Sequence, residues 1–133
     1  MDWALANGFT EVPFASETAV RDCTAALDTG RSVVLHSRDA RTDHDIGAML
    51  GRVTREVLSA TRVRRLLVAG GDTSGQVARA LDIESLEMVG QLVRGSPLCR
   101  AAAPNSPADG IEVTFKGGQI GPVDIFGLVR DGV

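Results

Sequence analysis

The chain is poor in aromatic residues, lacks an excess of positive charge and contains no cysteine motif. Aromatic residues make up 4% of its 133 residues, and Tyr is absent. The core must therefore be built from Val, Leu, Ile and Ala, as in buried parallel sheets. Fourteen Lys and Arg residues against seventeen Asp and Glu residues give a formal net charge of -3. Because a polyanion is bound through concentrated positive charge, we expect no nucleic acid partner.

The cysteines and the apolar segments exclude further classes of protein. Cys23 and Cys99 are far apart and have no CxxC spacing, which argues against a disulfide framework and a zinc site. No apolar run approaches the ~18 residues of a membrane-spanning helix, and the segment MDWALANGFTEVPF has no basic residue before its apolar ones. We therefore expect a cytoplasmic protein without a signal peptide or a membrane span. The length fits one domain covering residues 1–133.

Apolar periodicity predicts an alternation of strands and helices. Short apolar runs between turn signals predict strands, and apolar residues at helical spacing predict helices. The predicted strands are residues 10–14, 31–37, 65–69, 84–94 and 111–116, and the predicted helices are residues 16–30, 46–58, 77–81 and 123–129. Residues 95–110, with three prolines, are predicted to form a loop, and Thr42 or Asp43 to cap the long helix. The sequence thus predicts an α/β three-layer sandwich with a mostly parallel sheet flanked by helices.

A glycine-rich segment, GGDTSG, follows the third predicted strand and opens a helix. It consists of Gly70, Gly71, Asp72, Thr73, Ser74 and Gly75. The glycines permit positive φ and close approach of a ligand, and N–H groups at a helix start bind phosphate. The segment has the GxxxxG spacing of a P-loop, but Gln76 and Val77 stand where that motif requires Lys and Ser or Thr. It also differs from the GxGxxG dinucleotide motif.

Two other interpretations of GGDTSG remain open. The segment can be a tight turn in which Asp72 or Thr73 caps the following helix. It can also be compared with the catalytic signature of aspartic proteases, but that signature requires Gly directly after Asp-Thr or Asp-Ser, and here Ser74 intervenes.

A second glycine-rich segment, FKGGQIG, follows the last predicted strand. It contains Lys116, Gly117, Gly118 and Gly121. Alone it fits an ordinary hairpin or loop equally well. Beside the first segment it can complete a nucleotide site, because a triphosphate needs both N–H donors and positive charge.

Three further side chains have both a chemical and a structural interpretation. Asp72 can bind magnesium or steer the attacking hydroxyl in phosphoryl transfer, or it can cap a helix. His36, in a predicted buried strand, is expected to be a core or rim histidine rather than a catalytic one. His44 lies between Asp43 and Asp45, and a solvated helix start explains this cluster better than a metal site.

Together these segments resemble the nucleotide-binding domain of the four-carbon acid sugar kinases. The resemblance lies in GGDTSG after a strand, in GSPL at residues 95–98, in FKGGQIGPVDIF at residues 115–126, and in ALDTGRSVVLHS at residues 26–37. It implies binding of ATP with Mg²⁺ and phosphorylation of threonate, erythronate or their 3-oxo forms. It also implies that Ser37 contacts the nucleotide, that residues 71–75 hold its phosphates and that Gly118 flanks it. The family usually shows KSGG followed by Gly, whereas this chain has Lys116-Gly117-Gly118-Gln119.

The same resemblance leaves the activity of the chain open. The family's kinases have an N-terminal domain that supplies most of the sugar-acid site, and this chain resembles only the C-terminal half. One hypothesis is therefore the ATP-binding part of a sugar-acid kinase, inactive alone. A second is a non-catalytic nucleotide-binding or regulatory module, and a third is a dinucleotide oxidoreductase, since this fold class hosts many chemistries. A homo-oligomer is compatible with each hypothesis.

Overall fold

The computed structural model describes residues 1–37, 45–117 and 122–131. Five helices and six strands are found in these ranges, which confirms the α/β class. The helices are α1 (Asp2–Ala6), α2 (Ala19–Asp28), α3 (Ile46–Ala60), α4 (Gly71–Ala80) and α5 (Ile125–Asp131). The strands are β1 (Thr10–Pro13), β2 (Val33–His36), β3 (Arg65–Ala69), β4 (Ser85–Val93), β5 (Ser96–Ala102) and β6 (Glu112–Lys116). No helix within the described ranges is both long enough and apolar enough to span a membrane.

The strands form two sheets. Strands β1 and β2 pair in parallel in a two-stranded sheet, with Thr10 opposite Val33. The other four strands form a sheet in the order β3-β6-β5-β4. Strands β3 and β6 are parallel, while β5 is antiparallel to both of its neighbours. Helix α2 connects the parallel strands β1 and β2, whereas α4 and a hairpin of β4 and β5 separate the parallel strands β3 and β6 along the chain. The hairpin adds two antiparallel strands to the larger sheet.

The prediction of a loop over residues 95–110 was wrong. Residues Ser96–Ala102 form β5, which lies between β4 and β6, and only the residues after Ala102 form a loop. The segment SPLCRAA has a proline and no β-branched residue, so its strand propensity is low. Pairing on both sides and burial of Cys99 and Ala101 outweigh that low propensity. Cys99 is consequently buried, although its position among prolines suggested a loop.

Helix α3 lies between two hydrophobic clusters. The larger cluster covers the four-stranded sheet and contains Leu58, Val68, Val77, Leu81, Cys99, Ala101, Ala103, Ala108, Ile111 and Val113. The smaller cluster covers the two-stranded sheet and contains Val12, Ala19, Cys23 and Val57. The adjacent residues Val57 and Leu58 thus belong to different clusters. A helix that is apolar on two sides therefore connects both sheets.

Two glycines allow α3 and α4 to approach closely. A Cβ added at Gly51 would lie 2.5 Å from Cβ of Ala80 and 3.4 Å from Cα of Val77. A Cβ at Gly47 would collide with the side chain of Gln76. Asp45 is the N-cap residue of α3 and makes no side-chain capping bond. The predicted caps, Thr42 and Asp43, are therefore not the N-cap, and both lie outside the described residues.

The two ends of the described chain pack against each other. A Cβ at Gly127 of α5 would lie 2.5 Å from the ring of Trp3 in α1. The rings of Phe9 and Phe126 meet edge to face, with centroids 6.0 Å apart. The guanidinium of Arg130 lies 5.3 Å from the centroid of the Phe9 ring. Helix α1 was not predicted, because five residues are too few to show helical periodicity.

Candidate functional site

The two glycine-rich segments begin side by side at one edge of the four-stranded sheet. Strands β3 and β6 are parallel, and Ala69 at the end of one is opposite Lys116 at the end of the other. Gly70 donates its N–H to the carbonyl of Lys116 across 2.9 Å. Carboxyl ends of parallel strands are where ligands bind in open α/β sheets. The structure thus brings Lys116 and Gly117 next to GGDTSG, whereas Gly118 and Gly121 lie outside the described residues.

The first glycine turn depends on the backbone of Gly70. This residue is the N-cap of α4 and has φ 111° and ψ 133°, a region that residues with a Cβ rarely adopt. The carbonyl of Gly70 accepts the Ser74 N–H at 2.9 Å and the Ser74 hydroxyl at 2.6 Å. Ser74 therefore closes the turn. In the described part of the chain no side chain caps α4, so the predicted capping role of Asp72 or Thr73 is not observed.

The first turn of α4 presents backbone N–H groups at the end of β3. The first N–H groups of a helix have no partner within it. Those of Gly71, Asp72 and Thr73 find no acceptor in the part of the chain that the structure describes. A Cβ added at Gly71 would meet nothing within 4 Å. The approach to these N–H groups is therefore open, and the positive end of the helix dipole favours an anion there.

Asp72 is the acidic side chain of this helix start. It is exposed and lies in the first turn of α4. Among the described residues, no group of three His, Cys, Asp or Glu side chains can hold a metal ion. Mg²⁺ commonly binds through one or two carboxylates together with substrate phosphates. A single carboxylate such as that of Asp72 fits this mode of binding. Its roles in magnesium binding and in catalysis stay predictions.

The ammonium group of Lys116 lies at the start of the second segment. Lys116 is 9% exposed and donates from Nζ to the carbonyl of Gly117 across 2.9 Å. Lys116 therefore places a positive charge at the end of β6, within the protein surface rather than in solvent. Its contact with a phosphate stays a prediction.

Ser37 belongs to a different part of the molecule. It follows β2, whose hydrogen-bonded neighbour is β1 in the separate two-stranded sheet. It is half-buried. No hydrogen bond within the described ranges connects Ser37 to Gly70 or Lys116. The predicted contact of Ser37 with nucleotide therefore rests on the family resemblance.

Two further titratable side chains, His36 of β2 and Cys23 of α2, are largely shielded from solvent. His36 is confirmed as a rim histidine, because its Nε2 lies 2.9 Å from Oε1 of Glu11 and its side chain is 9% exposed. Burial, with a smaller contribution from Asp22, raises the pKa of the Cys23 thiol from 9.0 to about 11. Cys23 is therefore protonated and unreactive at neutral pH. His44 lies outside the described residues.

Sequence reasoning missed one element of this edge. Because β5 is antiparallel to β6, the turn at residues 94–95 and the buried Ser96 reach the same edge as the two glycine segments. The signal was Gly95 after the apolar run of β4, which is a hairpin signature. The three prolines in residues 95–110 favoured a loop over a hairpin.

The chain matches a known family over most of its length. A family model described as a nucleotide-binding C-terminal domain matches residues 7–126. The 3-oxo-isoapionate kinase of Paraburkholderia graminis is 36% identical, over 98% of this chain and 35% of that protein. The 3-oxo-tetronate kinase of Methylobacterium radiotolerans is 33% identical, over 96% of this chain and 29% of that protein. The chain thus spans about a third of the length of these relatives.

Solved structures share the fold. A domain of unknown function from Bordetella bronchiseptica, crystallised with bound citrate as a domain-swapped dimer, superposes with a TM-score of 0.70 at 20% identity. The match covers 94% of this chain and 35% of that one. A Haemophilus influenzae protein superposes with a TM-score of 0.64 at 13% identity, over 95% of this chain and 35% of that one. Both comparisons support the α/β architecture.

Proposed function

The chain belongs to the family of nucleotide-binding C-terminal domains, and from this premise we propose that it is the ATP-binding part of a kinase for four-carbon sugar acids. The observation that carries the proposal is the contact between the two glycine segments. The hydrogen bond from Gly70 to Lys116 joins the start of α4 to the end of β6. N–H donors that have no acceptor among the described residues thereby lie at the same edge of the sheet as Lys116, where a polyphosphate can contact both.

The role of each residue follows from its position. The N–H groups of Gly71, Asp72 and Thr73 bind the phosphate oxygens, because they point out of a helix start that no side chain caps. Gly71 leaves room for close approach of the phosphate to the backbone. Lys116 adds positive charge, and the remaining glycines of the second segment, Gly117, Gly118 and Gly121, flank the nucleotide.

Magnesium would act together with Asp72. When bound to the phosphates, Mg²⁺ neutralises the charge that develops during phosphoryl transfer. Asp72 is exposed on the first turn of α4, so its carboxylate can take one position of such an ion or orient the attacking hydroxyl. Ser37 contacts the nucleotide from the other sheet, and Ser74 and Gly75 complete the phosphate loop.

The sugar acid requires residues beyond this domain. The curated relatives that are named as kinases of 3-oxo-isoapionate and 3-oxo-tetronate are about three times as long as the chain. We propose that the rest of such a protein, an N-terminal domain, supplies most of the sugar-acid site. The chain by itself then binds ATP and ADP in the cytoplasm without turnover.

Titration calorimetry with Mg-ATP and Mg-ADP tests nucleotide binding directly. We expect saturable binding to the chain, and Gly71→Ala should weaken it by about tenfold, or roughly 1.4 kcal/mol, because the added methyl separates the phosphate from the backbone. Gly90→Ala is the matched control, since an added Cβ there also meets nothing within 4 Å and Gly90 lies in β4. Absence of heat at millimolar nucleotide, or equal affinity of the two variants, would contradict the proposed site.

Transfer of phosphate is tested by complementation. The chain should release no ADP with a four-carbon sugar acid alone, and should release it when the N-terminal part of a relative is added. Asp72→Asn should abolish that release while the chain stays folded, because the Asp72 side chain is exposed. Nucleotide binding without any complementation would instead favour a regulatory module.

A further inference from the structure

A third loop meets the sheet edge that carries the two glycine segments. Cys99 of β5 is opposite Val113 of β6, and Arg100 is opposite Glu112, in antiparallel pairing. The first residue of β5 therefore lies beside the carboxyl end of β6. The hairpin turn that precedes it, residues 94–95, extends from this same edge, and Gly95 allows the turn with φ 81°.

The turn and the first glycine segment flank β6 from opposite sides. Neighbouring strands are about 5 Å apart, so the start of β5 and the end of β3 are separated by roughly 10 Å. The strand order β3-β6-β5 fixes that separation. A nucleoside triphosphate is longer than this gap, so one molecule can contact both loops.

Arg94 brings a positive charge to this edge. It is exposed at the tip of the hairpin. No hydrogen bond or ion pair of Arg94 is found within the described residues. A guanidinium binds phosphate with two parallel N–H donors. Arg94 thus carries an exposed charge, whereas Lys116 is buried.

The hydroxyl of Ser96 is a second, independent observation that points to a ligand at this turn. Its side chain is 0% exposed, and its hydroxyl has no hydrogen-bond partner among the residues that the structure describes. Buried hydroxyls without a partner are uncommon, and each one asks for an explanation. By alternation along β5 and β6, Ser96 lies on the same face of the sheet as Lys116. A small shift of the turn would open Ser96 to an acceptor at the edge where the phosphates bind.

We infer that the β4–β5 turn is a third wall of the nucleotide site, in which Arg94 binds the phosphates and Ser96 donates its hydroxyl once the turn shifts. The inference rests on the proposed nucleotide binding. It adds a cation and a hydroxyl from a part of the chain outside both glycine segments. It also predicts that the turn distinguishes ligands by their phosphates rather than by their nucleoside.

Binding of Mg-ATP, Mg-ADP and adenosine to Arg94→Gln tests the role of the charge. The variant should raise the Kd for Mg-ATP about tenfold, affect Mg-ADP less, leave adenosine unchanged and reduce the salt dependence of binding. The matched control is Arg62→Gln, because Arg62 is also exposed but precedes β3 at the opposite edge of the sheet. Wild-type affinity of Arg94→Gln for Mg-ATP overturns the inference while the proposed function stands.

Ser96→Ala separates a binding role from a structural one. Removing a hydroxyl without a partner should leave the thermal midpoint of the free protein unchanged or higher, while the stabilisation gained from Mg-ATP becomes smaller. A full ATP-induced shift in this variant refutes the role of Ser96. If the wild-type chain itself binds no nucleotide, the proposed function fails, and this inference fails with it.

Discussion

Gly70 and Gly71 are adjacent, yet an alanine should have opposite effects at the two positions. Gly70 has φ 111°, and a Cβ there would lie 3.5 Å from the Thr73 side chain, an ordinary contact. The cost of Gly70→Ala is therefore backbone strain of about 1–3 kcal/mol. Reduced freedom of the unfolded chain returns about 0.4–1 kcal/mol of that. We expect a net loss of roughly 1–2 kcal/mol.

Gly71 is the first residue of α4, has no positive φ and meets nothing within 4 Å at its Cβ position. Gly71→Ala should therefore stabilise the free protein by about 0.5–1 kcal/mol. The difference between the two variants is then on the order of 2 kcal/mol. Because Gly71→Ala is also expected to weaken nucleotide binding, stability and affinity should change in opposite directions in this variant.

Urea unfolding followed by circular dichroism measures both free energies by linear extrapolation. The slope of free energy against urea should be the same for both variants and the wild type, since neither changes the buried core. Equal stability of Gly70→Ala and Gly71→Ala would refute the reasoning, because it would mean that the backbone at Gly70 is not restricted to glycine. A changed slope would point to an altered unfolded state instead.

Other positions give sharp expectations. Gly51→Ala should lower the free energy of unfolding by about 1–3 kcal/mol through overpacking, since the added Cβ would lie 2.5 Å from Cβ of Ala80. Adding Ala80→Gly should restore part of the lost stability in the same urea assay. Gly127→Ala should displace the single Trp, so the emission of Trp3 should shift to the red; an unchanged spectrum would contradict the contact. The raised pKa of Cys23, about 11 against 9.0, means that the folded state holds the thiol proton more tightly. The contribution of the protonated Cys23 thiol to the free energy of unfolding is full below pH 9 and is lost as the pH rises through 11. In urea unfolding at a series of pH values, Cys23→Ala should lack this loss of stability at alkaline pH. An equal loss in the variant and the wild type would disprove the expectation.

The sequence predicted well those elements whose local signals agree with their tertiary setting. Strand β3 was predicted with its observed bounds, Arg65–Ala69, because a short apolar run stands between an arginine-rich segment and two glycines. Strand β5 was missed, because its proline and small residues indicate a loop. Its strand conformation depends on pairing with β4 and β6, which no local pattern encodes.

The candidate site likewise has parts that local sequence patterns predict and parts that depend on tertiary pairing. The position of both glycine segments at carboxyl ends of strands could be predicted from the sequence. The direct pairing of β3 with β6, which brings Gly70 next to Lys116, could not, because strand order is set by tertiary packing. The approach of Arg94 and Ser96 to that edge depends on the hairpin, and was therefore out of reach. The burial of Lys116 was also not predictable, because it depends on which face of β6 is covered.

The position of α3 has a consequence for cooperativity. Its residues complete two hydrophobic interiors at once, through Val57 on one side and Leu58 on the other. Detaching this helix would expose apolar side chains of both clusters to water, so the loss of α3 would destabilise both sheets at once. Through α3, the stability of the sheet that carries the two glycine segments is thereby coupled to the small sheet of β1 and β2, with which it shares no strand.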